Sequence, residues 1–98
     1  MLRAAYEAGV PIFAGTDAGG VLPHGLIGRE VAALHEAVGL TSYDALGAAS
    51  WRARDWLGFP GLVAGASADF VLYDEDPLAD LRVLAHPTQV VLRGRPVP

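Results

Sequence analysis

The spacing of apolar positions changes several times along this chain, and each change marks an element. Leu2, Ala5, Tyr6 and Gly9 fall near helical spacing, so residues 1–9 read as the end of a helix with Gly9 just past it. Val10-Pro11-Ile12-Phe13-Ala14 is an unbroken apolar run, the pattern of a strand buried on both faces in a parallel sheet. Pro11 is tolerable there because it stands at the start. Gly15-Thr16-Asp17-Ala18-Gly19-Gly20 then lets the backbone turn sharply, and a polar loop continues through Pro23, His24 and Gly25. Over 26–38, Ile27, Val31, Leu34 and Val38 make one apolar stripe, with Arg29, Glu30 and Glu36 off it and Gly39 as the stop. Thr41 with Asp44 three residues on resembles a capping box and introduces a helix over 42–49. A short helix at 51–57 carries Trp51 and Trp56, read as core or interface aromatics, and ends at Gly58.

After Pro60 the pattern changes. Gly61, Gly65 and Ser67 mark turns, Phe70–Tyr73 and Gln89–Leu92 read as strands, and Asp74–Asp80 reads as a turn or a single helical turn. Gly94 makes a tight turn and Pro96-Val97-Pro98 is the tail. Two parts are therefore expected, a βα part over 1–58 and a small β segment over 59–98.

Composition narrows the function classes. With 52% hydrophobic and 18% charged residues among 98, the chain is globular rather than disordered. No apolar run approaches the roughly 18 residues of a membrane span, and no signal peptide is visible. No cysteine is present, which excludes disulfides and thiolate metal sites. The net charge is −4, and all seven basic residues are arginines, scattered from Arg3 to Arg95. No phosphate-tracking stripe results, so nucleic acid is not an expected partner. The absence of lysine excludes a Schiff-base or carboxylated lysine within this stretch. A cytoplasmic location fits.

Asp17 is the leading candidate for chemistry. An aspartate just past a buried strand, among glycines, stands where βα units of parallel sheets build their sites. It suits a divalent-cation ligand or a proton acceptor for metal-bound water. It equally suits an Asx-turn or helix cap. His24, seven residues on, suits substrate binding or support of a metal site, and also an ordinary solvated loop. His35 reads as a helix-surface residue and His86 as a turn residue. Gly15, Gly19 and Gly20 do not match a phosphate-binding fingerprint, and Asp17 among them would repel phosphate. A hydrolytic metal centre needs three or more protein ligands, and this chain has no H-x-H or H-x-x-x-H pair.

The order of motifs resembles the metal-dependent amidohydrolases, in their imidazolonepropionase-like and Xaa-Pro-dipeptidase-like branch. Ile12-Phe13-Ala14-Gly15-Thr16-Asp17 resembles the eighth barrel strand with its closing aspartate. His24-Gly25 and then Glu30 is similar to the family's H-G…E pattern. Gly39-Leu40-Thr41, Ala45-Leu46 and Ala48-Ala49-Ser50 resemble its G-L-T…A-L…A-A-T segment, with serine for the usual threonine. Leu57-Gly58 and Gly65-Ala66-Ser67-Ala68-Asp69-Phe70-Val71 are similar to the L-G…G-x-x-A-D-[LF]-V return, with Ser67 at a commonly basic position. Asp76-Pro77-Leu78 and the run Val90–Val97 resemble the D-P-L and V-x-x-x-G-x-x-V endings. Each piece is weak alone; their order over residues 5–97 is what carries the likeness.

The resemblance implies an α/β fold: the C-terminal end of a (β/α)₈ TIM barrel, its last strand and helices, followed by strands of a small β-sandwich. It implies a hydrolase that opens amide, cyclic amide or ester bonds of a small-molecule substrate with metal-activated water. Asp17 would be both metal ligand and base, and His24 would line the substrate pocket. The cofactor would be a divalent metal, zinc above all, mono- or binuclear. Most of its ligands, including the family's H-x-H, would lie before residue 1. A fragment, a truncated reading frame or half of a split enzyme are the corresponding expectations, with the remainder of the barrel as partner in cis or trans. The other class is a catalytically silent module that self-associates as a homo-oligomer around a vestigial site.

Overall fold

The computed structural model describes residues 1–16 and 25–98. The helical part comprises α1 (Leu2–Glu7), α2 (Ile27–Ala33), α3 (Ser42–Ala48) and α4 (Trp51–Trp56). A π-helical turn over Leu34–Val38 continues α2, and a 3₁₀ turn over Leu81–Ala85 lies between β1 (Phe70–Leu72) and β2 (Gln89–Leu92). Strand β3 is Arg95–Val97. The three strands form an antiparallel sheet in the order β1-β2-β3, with Val71 opposite Val90 and Val91 opposite Pro96.

The core is small and local. Val31, Leu34, Leu40, Ala45, Ala48 and Leu81 are buried together, with Tyr6, Ile12, Ala14, Val38 and Leu84 packed against them. Val31 and Leu34 are the middle of the expected stripe; Ile27, at its start, is exposed. Leu81 comes from beyond Pro60, so the core draws on both stretches of sequence.

Caps and turns explain where the elements stop. The Thr41 side chain accepts from the Asp44 N–H at 3.0 Å, so the cap forms as the spacing requires. The return half of the capping box does not form directly. The Thr41 N–H reaches Tyr6 Oη at 3.4 Å, and Tyr6 Oη donates to Asp44 Oδ2 at 2.6 Å. Arg52 then meets Asp44 Oδ1 at 2.6 Å, so one carboxylate ties α1, α3 and α4 together. Gly39, at φ +96°, ends the π-helical turn, and both Gly39 and Leu40 donate their N–H to the Leu34 carbonyl. The His35 Nδ1 donates to the Leu40 carbonyl at 2.7 Å, closing the same corner.

The structure departs from the sequence pattern at four places. Residues 10–14 are not paired as a strand: among the described residues the segment's backbone bonds are Val10 N–H to Ala5 O of α1, at 2.9 Å, and Ala14 N–H to Ala48 O, at 3.0 Å. A strand exists only by pairing, and no described strand lies beside this one. Trp51 and Trp56 are exposed rather than core; Trp56 stacks on Phe13 at 4.7 Å, and Trp51 packs on Tyr43 at 4.9 Å. Residues 95–97 are a strand rather than a tail. Arg93 and Gly94 both take positive φ, 51° and 77°, which is the tight hairpin geometry that returns the chain along β2. The 3₁₀ turn at 81–85 has no apolar periodicity long enough to announce it; the Asp80 side chain starts it by accepting from the Arg82 N–H at 3.0 Å.

Two outcomes follow. Gly39→Ala places a Cβ on a left-handed backbone, which costs about 1–2 kcal/mol. The melting temperature should fall by several degrees in calorimetry; an unchanged value would show the corner relaxes freely. Asp44 is held below the usual carboxylate range, first by the Tyr6 hydroxyl and then by Arg52 and Thr41, against opposing desolvation. Its contribution is therefore fully present above the unfolded carboxyl value and is lost as pH falls through the lower folded value. Tyr6→Phe should destabilise by about 1–2 kcal/mol near neutral pH, from the loss of one charge-assisted hydrogen bond. Urea titrations should show that gap shrinking as the pH drops below about 4; a gap constant with pH would mean that Tyr6 acts only through packing.

Candidate functional site

The two residues expected to carry chemistry, Asp17 and His24, lie outside the described residues. What the structure gives is the frame on either side. On the entry side, Ala14 is fastened to the end of α3 through Ala48, and Ile12 and Ala14 rest on the core. On the exit side, Gly25 takes φ +89°, and the Leu26 carbonyl accepts the first amides of α2, from Arg29 and Glu30. Both stems thus end on the same packed unit of α2 and α3.

The described residues enclose two large open hollows. One, about 630 Å³, runs along residues 9–13 and is bounded by Tyr6, Leu40, Asp44, Arg52, Asp55 and Trp56. Its best-placed acid is already committed, because Asp44 spends its oxygens on Tyr6 and Arg52. The other, about 510 Å³, lies between α2, the end of α3 and β1, with Val31, Leu46, Trp51, Leu62, Val71 and Leu84 among its walls. Burial pushes the Tyr73 hydroxyl of this second hollow up from its ordinary value, which keeps it neutral. The Ser50 hydroxyl there donates to the Leu46 carbonyl at 2.6 Å, so it is satisfied rather than activated. Neither hollow pairs a nucleophile with a base among the described residues.

The metal question has the same answer. Among the described residues no group of three or more His, Cys, Asp or Glu side chains is arranged to hold a metal ion. His35 and His86 enter no such group among the described residues. The described residues by themselves therefore assemble no metal site of three or more such ligands.

One functional motif of the sequence does acquire a structural account. Asp69, of the A-D-F-V run, accepts from the Arg93 N–H at 2.8 Å, and Arg54 stands 3.5 Å from its other oxygen. The Arg93 amide holds the Asp69 carboxyl below its usual range, with Ser67 and Arg54 adding to the effect. The Gly94 N–H also reaches the Ala68 carbonyl at 2.9 Å. Asp69 therefore fastens the β2–β3 turn to the start of β1 and to α4. The family-like run pointed to the residue; its role as a clamp could not be read without the hairpin.

No helix among the described residues is long and apolar enough to cross a membrane. Compared with known proteins, residues 1–97 match the model of the Amidohydrolase family. An uncharacterized protein of Mycobacterium tuberculosis is 58% identical over 94 residues, which span 96% of this chain and 25% of that protein. A provisionally assigned prolidase from Bifidobacterium longum superposes with a TM-score of 0.89 at 39% identity, over 98% of this chain and 25% of its own. A Xaa-Pro dipeptidase with methionine bound in its active site gives 0.85 at 30% identity, over 98% and 24%. An ochratoxinase from A. niger gives 0.81 at 30%, over 97% and 23%. The chain thus spans about a quarter of the length of the relatives it matches. With its motifs in family order and its backbone superposing end to end on these structures, the chain belongs to the amidohydrolase family.

Proposed function

We propose that this chain is the C-terminal quarter of a metal-dependent hydrolase that opens amide, cyclic amide or ester bonds. The observation that carries the reading is the family match over residues 1–97, together with the likeness to a Xaa-Pro dipeptidase at a TM-score of 0.85. On this reading residues 1–58 are the last βα part of a (β/α)₈ barrel, and 59–98 belong to a small β-sandwich beside it. Residues 10–14 are then the eighth strand, paired with neighbours supplied by the rest of the barrel. Dipeptides ending in proline are the first substrate class to try, because two of the similar structures carry that name.

The metal, zinc by preference, would acidify water towards a pKa of about 7. Most of its ligands would come from the remainder of the barrel, since the described residues assemble no such group. Asp17 would hold the water's proton and pass it to the leaving nitrogen or oxygen. His24 would orient the substrate in the loop that follows.

The test is a graft. Residues 1–97 replace the corresponding quarter of the Mycobacterium tuberculosis relative, and hydrolysis and metal content are measured together. In that enzyme Asp17→Asn should lower turnover about 10²–10⁴-fold, because the amide keeps the shape but accepts no proton. Turnover above about a tenth of the parent's would remove Asp17 from the base role. His24→Ala should change KM or kcat while metal content holds; loss of metal would instead make His24 a ligand.

A further inference from the structure

Residues 10–14 run directly into Gly15-Thr16-Asp17, so whatever fixes this stem bears on the approach to Asp17. Residues 9–13 border the larger hollow, while Ile12 and Ala14 pack on the core. Among the described residues the stem's backbone and core support therefore lies on the side of α1 and α3.

Helix α3 reaches the stem at both ends. At the far end the Ala14 N–H donates to the Ala48 carbonyl at 3.0 Å. At the near end the route passes through α1. The Val10 N–H donates to the Ala5 carbonyl at 2.9 Å and the Gly9 N–H to the Tyr6 carbonyl at 3.0 Å. Gly9, at φ +83°, turns the chain out of the helix at this corner. Tyr6 belongs to the same corner, and its hydroxyl donates to Asp44 Oδ2 at 2.6 Å in a half-buried contact. A phenol on a carboxylate is a charge-assisted bond, about twice as strong as a neutral one. Asp44 is itself held, because Arg52 meets its other oxygen at 2.6 Å and its N–H caps on Thr41 at 3.0 Å. Asp44 and Ala48 stand four residues apart on α3, one turn of one helix. Both ends of the stem are therefore tied to a single rigid turn.

We propose that Tyr6 and Asp44 are positioning residues: their bond, with Ala48 one turn on, sets the line along which residues 10–14 lead to Asp17. Neither residue touches substrate or metal; both act through residues 9–14. A base must stand within hydrogen-bond reach of the proton it takes, and 1 Å of misplacement costs about 10²-fold in rate. The effect on turnover rests on the hydrolase reading and its role for Asp17. The mounting of the stem rests on the described contacts alone.

Two variants of the same junction separate positioning from bulk stability. Tyr6→Phe removes the bond that leads to the stem and keeps the ring; Arg52→Gln removes the other bond of the same carboxylate and leaves α1 attached. Amide hydrogen exchange on the full 98-residue chain compares the Ala14 N–H with the Ala45 N–H, which donates to the Thr41 carbonyl inside α3's first turn. Tyr6→Phe should speed Ala14 about 10-fold relative to Ala45, the factor one such hydrogen bond is worth. Arg52→Gln should leave that ratio unchanged. Equal acceleration of both amides by Tyr6→Phe, or the same ratio change in both variants, would overturn the mounting. In the grafted enzyme, well below its melting temperature and at saturating zinc, Tyr6→Phe should lower kcat at least about 10-fold with KM unchanged, and Arg52→Gln should match the parent. An unchanged kcat, or a loss confined to KM, would overturn the positioning role. A parent graft without activity would count against the hydrolase reading alone, and the exchange ratio would still decide whether Tyr6 and Asp44 hold the stem.

Discussion

The close approach of α2 and α3 governs the rest of this structure. Ala45, Gly47 and Ala48 are the buried residues of α3, and none of them carries more than a methyl group. That smoothness lets Val31 and Leu34 of α2 and the following turn reach it, and lets Leu40 close the end at 2% exposure. Interiors pack at crystal-like density, so a larger side chain on α3 has nowhere to go. Gly47 shows the tolerance: a Cβ there would stand 2.9 Å from the Trp51 ring. The Ala48 carbonyl on the same helix then fixes the segment that leads towards Asp17. Packing thus sets the position of the stem, and the stem precedes any chemistry.

Polar contacts add definition to this packed unit rather than replacing it. Asp44, on α3, collects a phenol from α1 and a guanidinium from α4, while Asp69 collects an amide and a guanidinium from the hairpin and α4. Both acids sit near the surface, where an isolated ion pair contributes little. Their value lies in convergence, because each carboxylate joins elements distant in sequence. Removing one partner leaves the others still bonded, so these junctions resist single losses better than a lone pair would.

Much of this was legible in the residues. The helical stripe of Val31 and Leu34, the Thr41 cap, the Gly39, Gly58 and Gly94 turns and the strands at 70–72 and 89–92 follow from local patterns, and local patterns decide such features. What escaped was settled at longer range. Residues 10–14 carry the composition of a buried strand, but strand formation needs a neighbour, and none lies beside them among the described residues. Trp51 and Trp56 read as core or interface aromatics from size and hydrophobicity; they stand outside the core, and exposure depends on what stands opposite. Strand β3 hid behind two prolines, tolerated because β3 is an edge and an edge amide need not donate. Asp17 and His24 were legible as candidates from order and spacing, and their geometry lies outside the described residues.

The π-helical turn at Leu34–Val38 has a bearing on how this segment can vary. Such a turn holds one residue more than the helix around it would need. The Leu34 carbonyl receives amides from both Gly39 and Leu40, so the surplus is absorbed locally and neither flank loses its phase. A gain or loss of one residue at this corner therefore rotates only the corner itself. The corner is thus a local slack in the chain, set between Val31 upstream and Thr41 downstream.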